Sequence, residues 1–169
     1  MLTIRRAQAS DAALILSFIR ALAEYEKLAH AAVATEQDLL RDGFPTQGGE
    51  PKFRCLIAEW NGAPAGFALY FYSYSTFQGR AGIWLEDLFV KPEFRGRGIG
   101  KALLLQLAQI AVRQKCGRYS WQVLDWNKPS IDFYQSLGAK LMSEWLTMRV
   151  EGEALDRMAT LAKAARADD

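Results

Sequence analysis

Two neighbouring acidic residues are the side chains in this sequence best suited to proton transfer. Glu86 and Asp87 stand side by side in an otherwise apolar stretch, LEDLFV. Acidic residues are unfavourable in the middle of a strand, and a buried one needs a partner, so the pair indicates a function. Because successive strand residues point to opposite faces, we expect the two carboxylates to lie on opposite faces of the sheet. A solvated strand face is the alternative.

A tyrosine in a later helical stretch is a second group that could move a proton. Tyr134 could protonate a leaving group that lies within hydrogen-bond reach of its phenol. From residue type alone, a core tyrosine that packs with Phe133 and Leu137 is the simpler interpretation. The sequence around this residue leaves both interpretations open.

A glycine-rich turn, Arg95-Gly96-Arg97-Gly98-Ile99-Gly100, follows the acidic pair and precedes a strongly helical run. Glycines let the backbone turn tightly and keep side chains out of the approach path. The unpaired N–H groups at the start of a helix, together with the helix dipole, attract an anion. Arg95, Arg97 and Lys101 add positive charge. The pattern therefore predicts a pyrophosphate site.

Two other phosphate-binding motifs fail on individual residues of this turn. A P-loop has GxxxxGK followed by Ser or Thr, whereas here Arg95 stands at the first glycine position and Ala102 follows Lys101. A dinucleotide fingerprint would need its third glycine at Lys101, and no acidic ribose partner stands at the right distance. A plain glycine-rich loop before a helix remains the alternative.

Several classes of function are disfavoured by composition. His30 is the only histidine and is predicted to lie on the surface, and no cluster of metal ligands is visible, so we expect no metal. Cys55 and Cys116 are predicted to be reduced, semi-buried thiols. The net charge of +2 comes from mixed charges, so no nucleic-acid or membrane partner is expected. No signal peptide is predicted, which favours a cytoplasmic protein.

The elements that must position these residues follow from apolar periodicity, caps and turn residues. Strands are predicted at Leu2–Arg6, Phe53–Trp60, Pro64–Tyr74, Ile83–Val90, Tyr119–Leu124 and Lys140–Val150. Helices are predicted from Ser10 or Asp11 to Tyr25, from Thr35 to Leu40 with Gly43 closing it, from the glycine-rich turn to Lys115, from Asn127 to Leu137, and over Glu153–Ala165. The order β α α β β β α β α β α predicts an α/β fold with a mixed sheet, in one domain over residues 1–169 with its core at about 2–150.

The pattern R-x-x-G-x-G, formed by Arg95, Gly98 and Gly100 after a strand ending in Val90, resembles the acetyl-CoA motif of the GCN5-related N-acetyltransferases. Four further stretches are in register with the diamine (spermidine/spermine) N-acetyltransferase family: LAEYEKL, LLRDGF, LEDLFV and DWNKPSIDFYQSLGA. The stretches STFQGR, LDWN and EGEA are most similar to its thialysine N-epsilon-acetyltransferase branch. The resemblance spans nearly the whole chain. It implies a mixed, mostly antiparallel twisted sheet flanked by helices.

The resemblance also implies a role for individual residues in binding acetyl-CoA. The backbone amides of the turn would hold the pyrophosphate, and the end of the third long strand would pair with the pantetheine arm and polarise the thioester carbonyl. The strand Trp121–Trp126 would line the other wall of the cleft, with Lys128 also in reach of the cofactor. The cofactor-binding residues so implied are Leu88, Phe89, Val90, Arg95, Gly96, Arg97, Gly98, Ile99, Gly100, Lys101, Asn127 and Ser130.

For the reaction itself, the resemblance implies direct transfer of an acetyl group to an amine in a ternary complex. Tyr134 matches the family's general acid, and Glu86 matches the carboxylate that binds the ammonium and accepts its proton through water. Asp87 joins it at the acceptor, as do Tyr25 and Glu26, for which a solvated helix end is the alternative.

The acceptor is expected to be a small cationic amine. The polyamine branch carries an acidic residue in the loop near Ser75, whereas the stretch Ser73–Phe77 has none, which favours a lysine-like amine over spermidine or spermine. A protein or peptide amine is a second possible acceptor, and a non-catalytic CoA-binding module is an alternative from another class. The family implies a homodimer in which the terminal strand and helix contribute to the contact.

Overall fold

The computed structural model describes residues 1–46 and 48–164. The strands in this part of the chain are β1 (Leu2–Arg6), β2 (Arg54–Trp60), β3 (Ala63–Ser75), β4 (Arg80–Val90) and β5 (Arg118–Trp121). The α-helices are α1 (Ala12–Tyr25), α2 (Glu36–Gly43), α3 (Ile99–Arg113), α4 (Lys128–Ser136) and α5 (Glu153–Ala164). Within these ranges no helix is both long and apolar enough to cross a bilayer.

The five strands form one sheet in the order β1-β2-β3-β4-β5. Adjacent strands from β1 to β4 are antiparallel to one another, and β5 runs parallel to β4. The hairpin between β2 and β3 turns at Asn61 and Gly62, both with positive φ (52° and 81°), as the Asn-Gly pair predicts. The predicted mixed, mostly antiparallel sheet is confirmed.

Helix α1 covers one face of the sheet. Its fully buried Ile15 and Phe18 pack in a core with Ile57 of β2 and Phe67 of β3. The Phe18 and Phe67 rings are stacked, with centroids 5.3 Å apart. Helix α2 adds Leu39 to the same core. Burial of these alternating strand residues is what fixes the register of the sheet.

Helix α3 packs against β3 and β4, and it covers the strand residues that alternate with those of the α1 core. Leu103 and Leu107 of α3 are fully buried, as are Ile83 of β4 and Tyr70 of β3. The sheet is therefore flanked by helices on both faces, so β4 is held from two sides.

The ends of the first two helices are stabilised differently. At α2 the predicted capping box is present, because Thr35 Oγ1 accepts from the Asp38 amide at 3.2 Å and the Thr35 amide donates to Asp38 Oδ2 at 3.0 Å. Asp11 precedes α1, but its carboxylate binds Arg5 at 2.8 Å instead of capping the helix. Arg5 also donates to Glu59 on β2 at 2.7 Å. The buried Asp11 carboxylate is therefore linked through Arg5 to the sheet, which holds the start of α1 in place.

The chain divides into two compact units, Met1–Gln122 and Val123–Asp169, of which the second is described as far as residue 164. The first holds the whole sheet with α1 to α3, and the second holds α4 and α5. The predicted last residue of the terminal helix, Ala165, lies outside the described residues.

Two strand predictions are wrong in extent or existence. Residues 140–150 form no strand; Trp145 N donates to Met142 O in one turn, and the rest of the segment is irregular. No described strand pairs with this segment, and a strand needs a neighbour for its backbone hydrogen bonds. The predicted strand Tyr119–Leu124 ends early, at Trp121. Its pairing with β4 also stops there, one residue before an irregularity in β4.

Candidate active site

A β-bulge interrupts β4 at the acidic pair. Leu85 pairs with Tyr70 and Asp87 pairs with Leu69, so Glu86 is an extra residue in β4 with no partner on β3. Such an extra residue bends a strand and re-aims its side chains. The apolar stretch LEDLFV therefore changes direction at its first acidic residue.

The bulge places both carboxylates on one face of the sheet, so the prediction that they point to opposite faces is wrong. Trp84 pairs with Phe71 and Asp87 pairs with Leu69, and these two partners lie two residues apart on one strand. The Trp84 indole Nε1 also donates to Glu86 Oε2 at 2.8 Å. Simple alternation fails here because it assumes a strand without an inserted residue.

A third carboxylate, from Glu26 at the C-terminal end of α1, completes an acidic cluster with Glu86 and Asp87. Burial, together with repulsion from Glu86 and Glu26, raises the pKa of Asp87 to about 7. Burial also raises the pKa of Glu26. Asp87 and Glu26 are half-buried, whereas Glu86 is exposed. Carboxylates that repel one another favour either a bound proton or a cation. This cluster can therefore bind an ammonium group and take up its proton near neutral pH.

The end of β4 offers an unpaired backbone edge beside this cluster. On one side, Asp87–Val90 pairs with β3; on the other, β5 pairs with β4 only from Gly82 to Leu85. Beyond Leu85, no described strand occupies that edge. An extended amide-containing chain can add to such an edge by backbone hydrogen bonds. Of the predicted residues here, Phe89 is buried in the core, so only its backbone is available.

The glycine-rich turn leads directly into α3. Gly96 and Gly98 have positive φ values of 76° and 75°, which other residues adopt only at a cost. Gly98 precedes the first helical residue, Ile99, and offers no side-chain cap. The first intrahelical donor is Ala102, whose N–H binds the Gly98 carbonyl at 2.9 Å. The amides that precede it at the start of α3 have no intrahelical partner and can therefore bind an anion.

The first three residues of α3, Ile99 to Lys101, differ in burial and in the space around them. Gly100 has an ordinary φ, and a Cβ there would lie 3.7 Å from Val90 Cγ2, which is normal contact. The Ile99 side chain is buried, so it offers the cofactor only backbone. Lys101 is exposed, and the first turn of α3 carries no acidic residue. The charge of the turn therefore suits a polyphosphate.

The remaining predicted site residues belong to the second unit. Asn127 precedes α4, and its carbonyl accepts from the amides of Ser130 and Ile131, both at 3.1 Å. Ser130 and Tyr134 are four residues apart and share one side of α4. Tyr134 is half-buried, with its ring centroid 5.6 Å from that of Phe133. Lys128 forms an ion pair with Asp132 at 2.7 Å, which supports α4 itself.

The structure thus brings together the predicted residues of the first unit. Glu26, Glu86 and Asp87 form the acidic cluster, and Tyr25 stacks against the Arg95 guanidinium of the turn. Sequence reasoning missed Trp84, whose hydrogen bond orients Glu86. Its position two residues before Glu86 on a strand was the available signal, because such residues share a face.

Three other side chains are of reactive types, namely His30, Cys55 and Cys116. His30 is exposed on a short 3-10 helix, as predicted. Cys55 is a buried free thiol, and burial raises its pKa, whereas Cys116 is half-buried. A thiol held in its neutral form is a poor nucleophile, so Cys55 serves packing.

Comparison with known proteins agrees with this geometry. The family model described as "Acetyltransferase (GNAT) family" matches residues 19–139. Thialysine N-epsilon-acetyltransferase of Sus scrofa is 43% identical over 167 residues, which cover 92% of this chain and 96% of that protein. Spermidine/spermine N(1)-acetyltransferase-like protein 1 of Homo sapiens is 40% identical over 92% of this chain and 23% of its own length.

Among solved structures, an integron cassette protein from the mobile metagenome of V. cholerae aligns with a TM-score of 0.76 and 29% identity. The alignment covers 94% of this chain and 97% of that one. The match of the family model over more than half of the chain agrees with the bulged strand, its open edge and the glycine-rich turn. By these observations the chain belongs to the acetyltransferase (GNAT) family, whose members transfer an acetyl group from acetyl-CoA.

Proposed function

We propose that this protein acetylates a primary amine of a small cationic molecule. The observation that carries the proposal is the acidic cluster of Glu26, Glu86 and Asp87, placed at the bulge where the backbone edge of β4 becomes open. An ammonium group is the natural ligand of such a cluster. An amine bound there lies next to the strand edge that we assign to the pantetheine arm and its thioester.

The cluster would also prepare the amine for attack. An ammonium ion has no free electron pair, so one proton must leave before the nitrogen can attack the thioester carbonyl. Glu86 or Asp87 accepts that proton, directly or through water, and the raised pKa of Asp87, about 7, suits a base at neutral pH. The hydrogen bond from Trp84 holds Glu86 in place for this step.

The other half of the reaction is assigned to backbone groups and one phenol. A backbone N–H of Leu88–Val90 stabilises the negative charge that develops on the carbonyl oxygen. As the C–N bond forms and the C–S bond breaks, Tyr134 donates its proton to the sulfur of the leaving thiolate. The second proton released by the nitrogen restores the Tyr134 phenol through water. The amides of Gly96 to Lys101 hold the diphosphate, with Asn127 and Ser130 as further cofactor contacts. Family register and residue chemistry support these assignments.

Among cationic acceptors, we propose a lysine-like amine such as thialysine, the substrate named for the pig relative. The end of the β3–β4 hairpin is basic: Arg54 stacks over Tyr72 at 4.9 Å, and Arg118 donates to the Tyr74 carbonyl at 3.4 Å. Positive charge here would repel the far end of a long polyamine. A short acceptor with one terminal ammonium avoids that repulsion.

The test is an acetyl-transfer assay with purified protein, acetyl-CoA and thialysine, lysine, spermidine, short diamines and short peptides. Release of free thiol is measured, with an amine-free reaction as the control. We expect the highest kcat/KM with thialysine. No thiol release with any acceptor would overturn the proposal, and CoA binding without turnover would indicate a binding module. Preference for peptides would identify a protein acetyltransferase instead.

We further propose that residues 1–169 form one acetyltransferase domain that acts as a cytoplasmic homodimer. The family match runs across the boundary between the two units, which supports one domain. The two free cysteines suit a reducing compartment.

Exposed apolar side chains in residues 141–150 and on α5 support the proposed contact between two subunits. Light scattering should give the mass of a dimer, and a monomer at micromolar concentration would contradict this proposal.

A further inference from the structure

Two arginines of the glycine-rich turn, Arg95 and Arg97, make contacts with different parts of the first unit. The Arg95 guanidinium carbon lies 4.8 Å from the ring centroid of Tyr25 and 5.8 Å from that of Phe89. The Arg97 guanidinium carbon lies 5.3 Å from the ring centroid of Trp60, at the β2–β3 hairpin. Each is a cation–π contact, but only that of Arg95 reaches α1.

Arg95 joins three elements at their ends. Its Nε donates to the carbonyl of Val90, the last residue of β4, at 3.0 Å. Its guanidinium covers Tyr25, the last residue of α1, while its own backbone opens the glycine-rich turn. Glu26, whose carboxylate belongs to the acidic cluster, follows Tyr25 directly. The turn and the acidic cluster are thus connected through one side chain.

We propose that Arg95 is a positioning residue that couples occupancy of the glycine-rich turn by the CoA diphosphate to the order of the C-terminal end of α1. A diphosphate held by the turn restricts the Arg95 backbone, and the stacked guanidinium passes that restriction to Tyr25. Ordering that is completed by the first ligand need not be repeated for the second. CoA and the acceptor would then favour each other's binding by an equal factor. The mutual effect of CoA and the acceptor rests on the proposed function, whereas the coupling of the turn to α1 does not.

The first test measures CoA affinity by calorimetry in the absence of any amine. Tyr25→Leu removes the ring from a residue outside the turn, and we expect CoA to bind about two- to fivefold more weakly. Tyr25→Phe keeps the ring and should retain the wild-type affinity. Tyr25 is exposed at the surface, so both variants should fold, which circular dichroism will verify.

A double-mutant comparison identifies the route of the coupling. In an Arg95→Met background, Tyr25→Leu should have no further effect on CoA affinity. In an Arg97→Met background, which removes an equal charge two residues away, Tyr25→Leu should keep its full effect. An unchanged affinity in Tyr25→Leu, or a full effect that persists in Arg95→Met, would overturn the proposal.

Hydrogen exchange supplies a readout that simple loss of a phosphate contact would not change. The amides of Lys27 and Leu28 donate to the carbonyls of Glu24 and Ala23 at the end of α1. At saturating CoA we expect their exchange to slow in the wild type and in Arg97→Met, but not in Arg95→Met. Equal slowing in all three proteins would contradict the role of Arg95. Because CoA alone is used, this result is independent of which amine the enzyme acetylates.

Discussion

The two units of the chain use similar apolar patterns with different results. In the first, alternating apolar residues such as Ile57 and Phe67 lie in strands and are fully buried under α1. In the second, residues 140–150 carry comparable apolar residues, yet they form no strand, and Trp145 is 72% exposed. Alternation shows that a segment is amphipathic. A strand forms only where another backbone is present to pair with it.

The predicted site residues of the two units also differ in what determines their properties. Those of the first unit depend on distant neighbours, as the acidic cluster at the bulge does. Those of the second unit lie on or beside one short helix, α4, and are placed by local sequence. The first group is therefore sensitive to the packing of the sheet, whereas the second group depends on the chemistry of its individual side chains.

The largest expected effect is on the free energy of unfolding. Phe67→Ala should lower it by about 3–5 kcal/mol, because a fully buried ring stacked on Phe18 leaves a cavity. Trp145→Ser, its counterpart in the second unit, should change it by less than about 0.5 kcal/mol in a dilute, monomeric sample. Denaturant titration measures both. Equal losses would mean that residues 140–150 are packed and that the contrast between the units is false.

Tyr134→Phe tests whether the second unit supplies the proposed proton donor, although it supplies little of the hydrophobic core. Removal of the hydroxyl should lower kcat by about 100- to 1,000-fold, because the leaving thiolate loses its proton donor. CoA affinity should stay within about twofold. Tyr74→Phe, at an exposed hairpin position, is the matched control and should leave kcat unchanged. Normal turnover in Tyr134→Phe would place all of the chemistry in the first unit.

Two glycines of the first unit with similar backbone angles separate folding from cofactor binding. Gly98→Ala forces a positive φ on alanine at a cost of about 1–2 kcal/mol, which the free turn can relieve by leaving its observed conformation. CoA binding must restore that conformation, so we expect roughly tenfold weaker CoA binding. Gly62→Ala at the β2–β3 hairpin has the same backbone cost and should lower stability without weakening CoA binding. Gly100→Ala, with an ordinary φ, should be mild in both assays. Calorimetry and thermal unfolding measure the two effects.

The smallest expected effect is the pH dependence of stability that Asp87 introduces. Its pKa is about 7 in the folded protein, against 3.8 ordinarily, so folding favours the protonated form. This contribution is fully present below pH 4 and is lost as the pH rises through 7. Because the side chain is only partly shielded from water, Asp87→Asn should stabilise the protein by about 1 kcal/mol at pH 8 and by nothing near pH 4.

Activity should respond to pH with the opposite sign. The carboxylate must be ionised to take up a proton, so kcat/KM of the wild type should rise as the pH increases through about 7. In Asp87→Asn that rise should disappear or move. An unaltered profile in Asp87→Asn would assign the proton acceptor to Glu86 alone.

Short-range features were predictable from the sequence because neighbouring residues decide them. The Asn61-Gly62 turn, the Thr35 capping box and the turn at Gly96 and Gly98 lie where predicted. Each depends on the backbone preference or side-chain reach of residues within about four positions of one another. The order of the first nine α-helices and strands could be predicted for the same reason.

Tertiary structure alone decided the rest. The bulge at Glu86 arises from the register between β3 and β4, and it sets both carboxylates on one face. The stack of Arg95 on Tyr25 joins residues 70 positions apart, and the pKa of Asp87 depends on burial and on Glu26 across the fold. Pairing, burial and charge repulsion are set by groups far away in the chain, so no local pattern encodes them. The sequence alone thus determined which residues are candidates for the site, whereas packing decided where they lie and how burial and charge shift the pKa of Asp87.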